Sequence, residues 1–194
     1  MKSKLLLLII GILVVLLIAF TFQSCKKDDV QPVQLISGGD LEAGTSFPIG
    51  WYYDNGQNSY NVAWTVEEAA SPKRSLKIAT EVSNATNFAF WGRTISTNIP
   101  VGKDVILKVK IKSKLTGSGV AIAIRGDDTE SPQVPGEQFA TTQGTISITG
   151  NFDWKEQSIK MDKVGENIKS LTVYLLYLPN TTGEAYFDDI SLTY

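Results

Sequence analysis

From Val105 to Ser113 the chain alternates without a fault: Val105, Leu107, Val109 and Ile111 take one side, Lys108, Lys110 and Lys112 the other. A strict period of two puts one face in a core and the other in water, which only a strand of a half-buried sheet can do. Val120, Ile122 and Ile124 repeat the pattern against Ala121, Ala123 and Arg125, and Val62, Trp64 and Val66 repeat it against Asn61, Ala63 and Thr65. Further strands are predicted over 76–78, 88–95, 145–149, 154–161, 171–178 and 185–193. No window carries a helical stripe. Glu67–Ala70 is the one helix-tolerant stretch, and Pro72 stops it. Many short strands separated by Gly, Pro, Asn and Asp point to an all-β antiparallel sandwich. One loop is long, 126–143, and carries Asp127, Asp128, Glu130 and Glu137.

Absences narrow the chemistry. The chain has no histidine and one cysteine, so Ser-His-Asp and Cys-His catalysis and His-ligated zinc are closed to it. Catalysis would have to run on carboxylates, Tyr or Lys. A formal net charge of -2 with no basic stripe makes nucleic acid a poor partner.

The lone cysteine, Cys25, follows an apolar run, Leu5–Phe22, that is preceded by Lys2 and Lys4 and followed by Gln23-Ser24. Charged start, apolar centre and small residue before a cut describe a secretory signal over 1–24. A cysteine in first place after the cut suits acylation of its thiol. The segment resembles signal peptides of Bacteroidetes lipoproteins, in which an acidic run after lysine, as in Lys26-Lys27-Asp28-Asp29, often directs export to the outer leaflet of the outer membrane. A lipid-anchored (palmitate-class) outer membrane lipoprotein is the expectation, with 25–34 as acylated cysteine and tether and 35–194 as the domain. Leu5–Phe22 also reaches the ~18 residues that can span a bilayer, so an uncleaved anchor stays open.

The ends of the domain carry a second likeness. Gly39-Asp40-Leu41-Glu42, then Gly44 and Pro48-Ile49-Gly50-Trp51, and at the far end Ala185-Tyr186-Phe187-Asp188-Asp189-Ile190-Ser191-Leu192, resemble the first and last strands of carbohydrate-binding modules of the cellulose- and xylan-binding jelly-roll type, within the galactose-binding-like sandwiches. Ser75-Leu76-Lys77-Ile78 and Phe152-Asp153-Trp154 fall between them in the expected order. The resemblance implies a jelly roll of about eight to ten strands. It implies non-catalytic binding of polysaccharide or oligosaccharide, alongside a partner enzyme or transporter. It also implies a structural calcium where first and last strands meet, held by Glu42 and Asp188 with Asp189. Asp188 shares numerical parity with Ile190 and Leu192 and is expected to point inward; a buried carboxylate needs donors or a metal, and amides of a loop would serve as well.

Sugar binding calls for flat apolar rings beside groups that bond hydroxyls. Trp91 and Arg93 on one strand, Arg125 beside the small Ala121 and Ala123, and Tyr174 would line a common concavity if their strands are neighbours. Tyr52 and Tyr53 after Trp51 form a second candidate. For Trp51, Trp64 and Trp154 a core role is the expectation. Two other functions remain open: an adhesion lipoprotein that binds another protein, and a glycoside hydrolase drawing two carboxylates from Asp127, Asp128, Glu130 and Glu137.

Overall fold

The computed structural model describes residues 31–82, 85–129 and 138–194. The leader, Cys25 and most of the tether lie outside the described residues, as do Glu130 and Glu137. Pro32–Tyr194 is one compact unit. No helix among the described residues is long and apolar enough to cross a membrane.

Nine strands are present among the described residues: β1 (Tyr52–Asp54), β2 (Asn61–Thr65), β3 (Ser75–Thr80), β4 (Ala89–Ile95), β5 (Val105–Asp127), β6 (Gln138–Thr141), β7 (Ile148–Met161), β8 (Ser170–Tyr177) and β9 (Thr181–Thr193). Every pairing is antiparallel. The long β5 belongs to two layers. From Val105 to Gly117 it pairs with β7 and β9; from Val120 onward it pairs with β8 and β6. One layer therefore runs β1-β4-β8-β5-β6 and the other β2-β3-β9-β5-β7. Together they make the β-sandwich. The change of layer falls at Gly117-Ser118-Gly119. Gly119 has a φ of 86°, and a Cβ there would lie 2.2 Å from the Ile148 carbonyl oxygen. Only glycine passes that corner without strain.

The core lies between the layers. Leu107, Ile111, Leu76, Ile78 and Phe187 from one meet Ile122, Ile124, Trp91, Val173 and Leu175 from the other, all at 0% exposure. Full burial of such side chains contributes about 1.5–3 kcal/mol each, and with no disulfide available to the lone cysteine the fold rests on that burial.

Several sequence expectations change in detail. The strands expected at Val105–Ser113 and around Val120–Arg125 are a single strand, and β7 begins at Ile148 and runs through the whole of 154–161. Gly39–Glu42 is not a strand. Leu41 sits at φ 60° and donates its N–H to the Gly38 carbonyl at 3.2 Å, which closes a turn. The first segment still meets the last strand: Gly39 accepts the Ile190 N–H at 2.8 Å, and Gln34 bridges to Thr193. The alternation that marks a strand is absent in 39–42, and its likeness to a family strand was a likeness of residue type only.

Candidate functional site

The outward side of the first layer carries a large, mainly apolar concavity. Register decides what lines it. Phe90 of β4 lies opposite Leu176 of β8, which lies opposite Ala121 of β5. One row along, Tyr52 of β1 lies opposite Gly92, then Tyr174, then Ala123. The next row is Thr94, Thr172, Arg125 and, from β6, Phe139. Small residues on β5 make the floor, and rings on β4, β8 and β6 make the walls. Of these residues Tyr52, Phe90, Thr94, Arg125, Phe139, Tyr174 and Leu176 line, with Phe88 and Gln143, a groove of about 650 Å³.

The rings are fixed to one another. Phe90 meets Tyr52 edge-on at 6.2 Å and Tyr174 edge-on at 5.2 Å. Tyr52 lies across Gly92, where a Cβ would come within 2.6 Å of its ring. The glycine is a notch that lets the tyrosine lie down. At the other end a chain of hydroxyls runs from Tyr52 to Thr94 at 3.4 Å and from Thr94 to Thr172 at 3.0 Å. Burial, with the Tyr52 hydroxyl beside it, pushes the Tyr174 phenol up to about 12, so it is a neutral donor at physiological pH. Arg125 gives Nε and Nη2 to Asp127 Oδ1 at 3.1 and 2.9 Å, and its side chain is only 13% exposed. Among the described residues Arg125 is the one cation lining the groove, and this pairing offsets its charge.

Two residues of the expected constellation, Arg125 and Tyr174, come together here with Tyr52 of the second candidate. Trp91 and Arg93 do not. Their strand is indeed the neighbour of β8, but alternation turns both to the inner side, opposite Leu175 and Val173. Trp91 is fully buried and donates its indole N–H to the Lys77 carbonyl of the other layer at 3.2 Å. Phe47 and Tyr53 close over it with centroids at 5.3 Å each. Arg93 stacks on Trp51 at 5.9 Å, and burial lowers its pKa. The residues that replace them in the groove are Phe88 and Phe90. Both faces of β4 are aromatic, so alternation alone could not say which one faces the core. Tyr53 likewise faces away from Tyr52, against Phe47.

The carboxylates expected to hold calcium are otherwise engaged. Asp189 sits at φ 46° in a bulge where β9 slips against β5 between Lys108 and Lys110. The bulge reverses the parity: Asp188 pairs with Lys110 on the outer side, while Ile190 and Leu192 return to the core. Asp188 is nevertheless fully buried, because the segment 66–71 folds over it. Its Oδ2 accepts Ala70 N–H and Ser71 N–H at 2.7 Å each, and its Oδ1 accepts Ser71 Oγ–H at 2.8 Å and Asp189 N–H at 2.7 Å. Burial raises its pKa, against the pull of these donors. Glu42 Oε1 accepts Lys73 N–H and Arg74 N–H at 2.8 and 3.0 Å, and Asp189 pairs with Lys110 at 2.7 Å. Donors occupy the positions a hard cation would need, and no cluster of three metal-binding side chains exists among the described residues. As arranged, the three residues do not fit a calcium shell.

The same segment ties down other charges on the outer side of the second layer. Glu67 pairs with Lys77, which also lies 3.3 Å from Glu184, and the Tyr186 hydroxyl donates towards both carboxylates at 3.1 and 2.9 Å. Glu68 pairs with Lys112 at 2.9 Å. The hydrogen bond from Lys77 holds the Glu67 pKa down, and bonds from Tyr186 and Lys77 do the same for Glu184. Both carboxylates are thereby held in their charged form. Asp127, one of the acids of the long loop, pairs with Arg125 at 2.9 Å.

No family model matches the chain, and no curated protein matches it. Solved structures match at low identity. A cyclase from Fischerella sp. TAU aligns at 15% identity and TM-score 0.62, over 84% of this chain and 96% of its own. The carbohydrate-binding module TmCBM61, solved with β-1,4-galactotriose, aligns at 13% identity and TM-score 0.54, over 82% and 97%. A protein of Bacteroides thetaiotaomicron proposed to bind sugar aligns at 13% identity and TM-score 0.56, over 83% and 99%. These likenesses establish the shared β-sandwich.

Proposed function

We propose that this chain is a non-catalytic polysaccharide-binding lipoprotein of the outer membrane. In this reading the outward groove of the β1-β4-β8-β5-β6 layer receives the sugar. The observation that carries it is the arrangement of Tyr52, Phe90 and Tyr174 beside Thr94, Gln143 and the Asp127-paired Arg125, apolar rings next to hydrogen-bonding groups in one open groove. Rings meet the C–H faces of a pyranose and the polar groups meet its hydroxyls, the division of labour of a small-ligand site. The carbohydrate-binding modules among the structures of like fold support the reading. The leader and Cys25 support membrane attachment, since two or more acyl chains are needed for stable anchoring. A tethered sandwich of this kind would hold glycan close to a partner enzyme or transporter.

A glycan array followed by affinity electrophoresis of the full-length protein in detergent tests the binding. Retardation by at least one neutral polysaccharide, lost on Tyr174→Ala, is expected. Failure of every glycan to retard the protein would leave the sandwich without its proposed ligand.

A further inference from the structure

The groove is uneven along its length. Thr94, Arg125 and the hydroxyls of Tyr52 and Tyr174 gather at one end, while Gln143, which follows β6 past Ala123 towards Ala121, is the one polar side chain of the described lining at the other. Four residues along β4, about 13 Å away at strand rise, the row Phe90, Leu176 and Ala121 offers no hydrogen-bonding side chain, and Phe88 extends it. The backbone cannot compensate, because β8 is paired on both sides by β4 and β5. A bare sugar seated there turns hydroxyls against Phe88, Phe90 and Leu176 with only the Gln143 amide in reach, and a hydroxyl held against an apolar wall without a partner is unfavourable. A methyl group would instead find the Phe90 ring and the Leu176 side chain. Charge adds a second restriction: Arg125 is already matched by Asp127, so among the described residues of the lining no unmatched cation attracts an anionic sugar.

Resting on the sugar-binding reading, we propose that the groove is selective for a neutral glycan whose residues carry a methyl-terminated substituent. The substituent lies against Phe88, Phe90 and Leu176, and the ring hydroxyls lie towards Thr94 and Arg125. An O-acetyl ester, a methyl ether and a 6-deoxy carbon share this chemistry.

Titration of the full-length protein in detergent against acetylated xylan and acetylated glucomannan, each beside the same polymer after mild alkaline deacetylation, tests the selectivity. O-methylated and 6-deoxy oligosaccharides beside their unsubstituted parents identify the source of the methyl group. At least one substituted ligand should bind about tenfold more tightly than its parent, the size expected when unpartnered hydroxyls are removed from a buried site. Leu176→Asn should narrow that ratio, whereas Thr94→Val should weaken both members of the pair and keep the ratio. Equal binding of substituted and bare glycans by the unaltered protein overturns the selectivity and leaves the sugar reading standing. Absence of binding to every glycan, bare or substituted, overturns both.

Discussion

Gly92 shows how much of the groove depends on an atom that is missing. The Tyr52 ring occupies the space a Cβ would take, 2.6 Å from its nearest carbon, and from there it reaches Phe90 and Thr94. Gly92→Ala is expected to lift Tyr52 and to weaken glycan binding about tenfold, the order set by the loss of one well-placed ring, with a melting temperature within a few degrees of the unaltered protein. Parallel titration and thermal melts check both. Asp188 is the structural counterpart. Asp188→Ala would strand the backbone N–H groups of Ala70, Ser71 and Asp189 at a buried site, at a cost of roughly 3 kcal/mol, read as a fall in the urea midpoint. Because those donors already fill the carboxylate's coordination, calcium and EDTA should each leave the melting temperature of the unaltered protein in place. A rise with calcium that Asp188→Ala abolishes would contradict this.

At the scale of elements, the segment 66–71 matters because it converts an outer sheet face into a covered one. It brings Glu67 to Lys77 and Tyr186, Glu68 to Lys112, and the Ala70 and Ser71 amides to Asp188. The depressed pKa values of Glu67 and Glu184 make this cover pH-sensitive. A carboxylate whose folded pKa lies below its unfolded value stabilises the fold above the unfolded value. That stabilisation is lost as the pH falls through the folded one. Stability should therefore hold down to the ordinary glutamate range and decline below about pH 4. Glu67→Gln together with Glu184→Gln should flatten the decline. Urea midpoints across that range measure it. The decline should be modest, because Glu67 is more than half exposed and solvent screens it.

Across the whole molecule, the sandwich was legible wherever one strand face was polar. Val105–Ser113 could be read in both extent and orientation because its lysines mark the wet side. The continuity of β5 through Gly117-Ser118-Gly119 was not legible, since glycines signal a turn and a layer-crossing corner in the same way. Strand β4 failed in a different manner: with Phe90 on one side and Trp91 on the other, apolarity could not rank its faces, and only packing against Lys77 of the second layer does so. Asp188 was misdirected by the bulge at Asp189, which a count of residues cannot see. Tyr52, Arg125 and Tyr174 are neighbours because their strands, β1, β5 and β8, share one layer, with β4 between β1 and β8.

The central claim, that the outward groove holds sugar, is most directly tested by affinity electrophoresis of three full-length proteins through gels containing the best ligand from the array. The unaltered protein and Lys112→Ala, a change on the outer side of the second layer, should be retarded equally. Tyr174→Ala should migrate as it does without polysaccharide, while melting like the others. Equal retardation of all three, or loss of retardation in Lys112→Ala alone, would place the binding surface elsewhere and contradict the account.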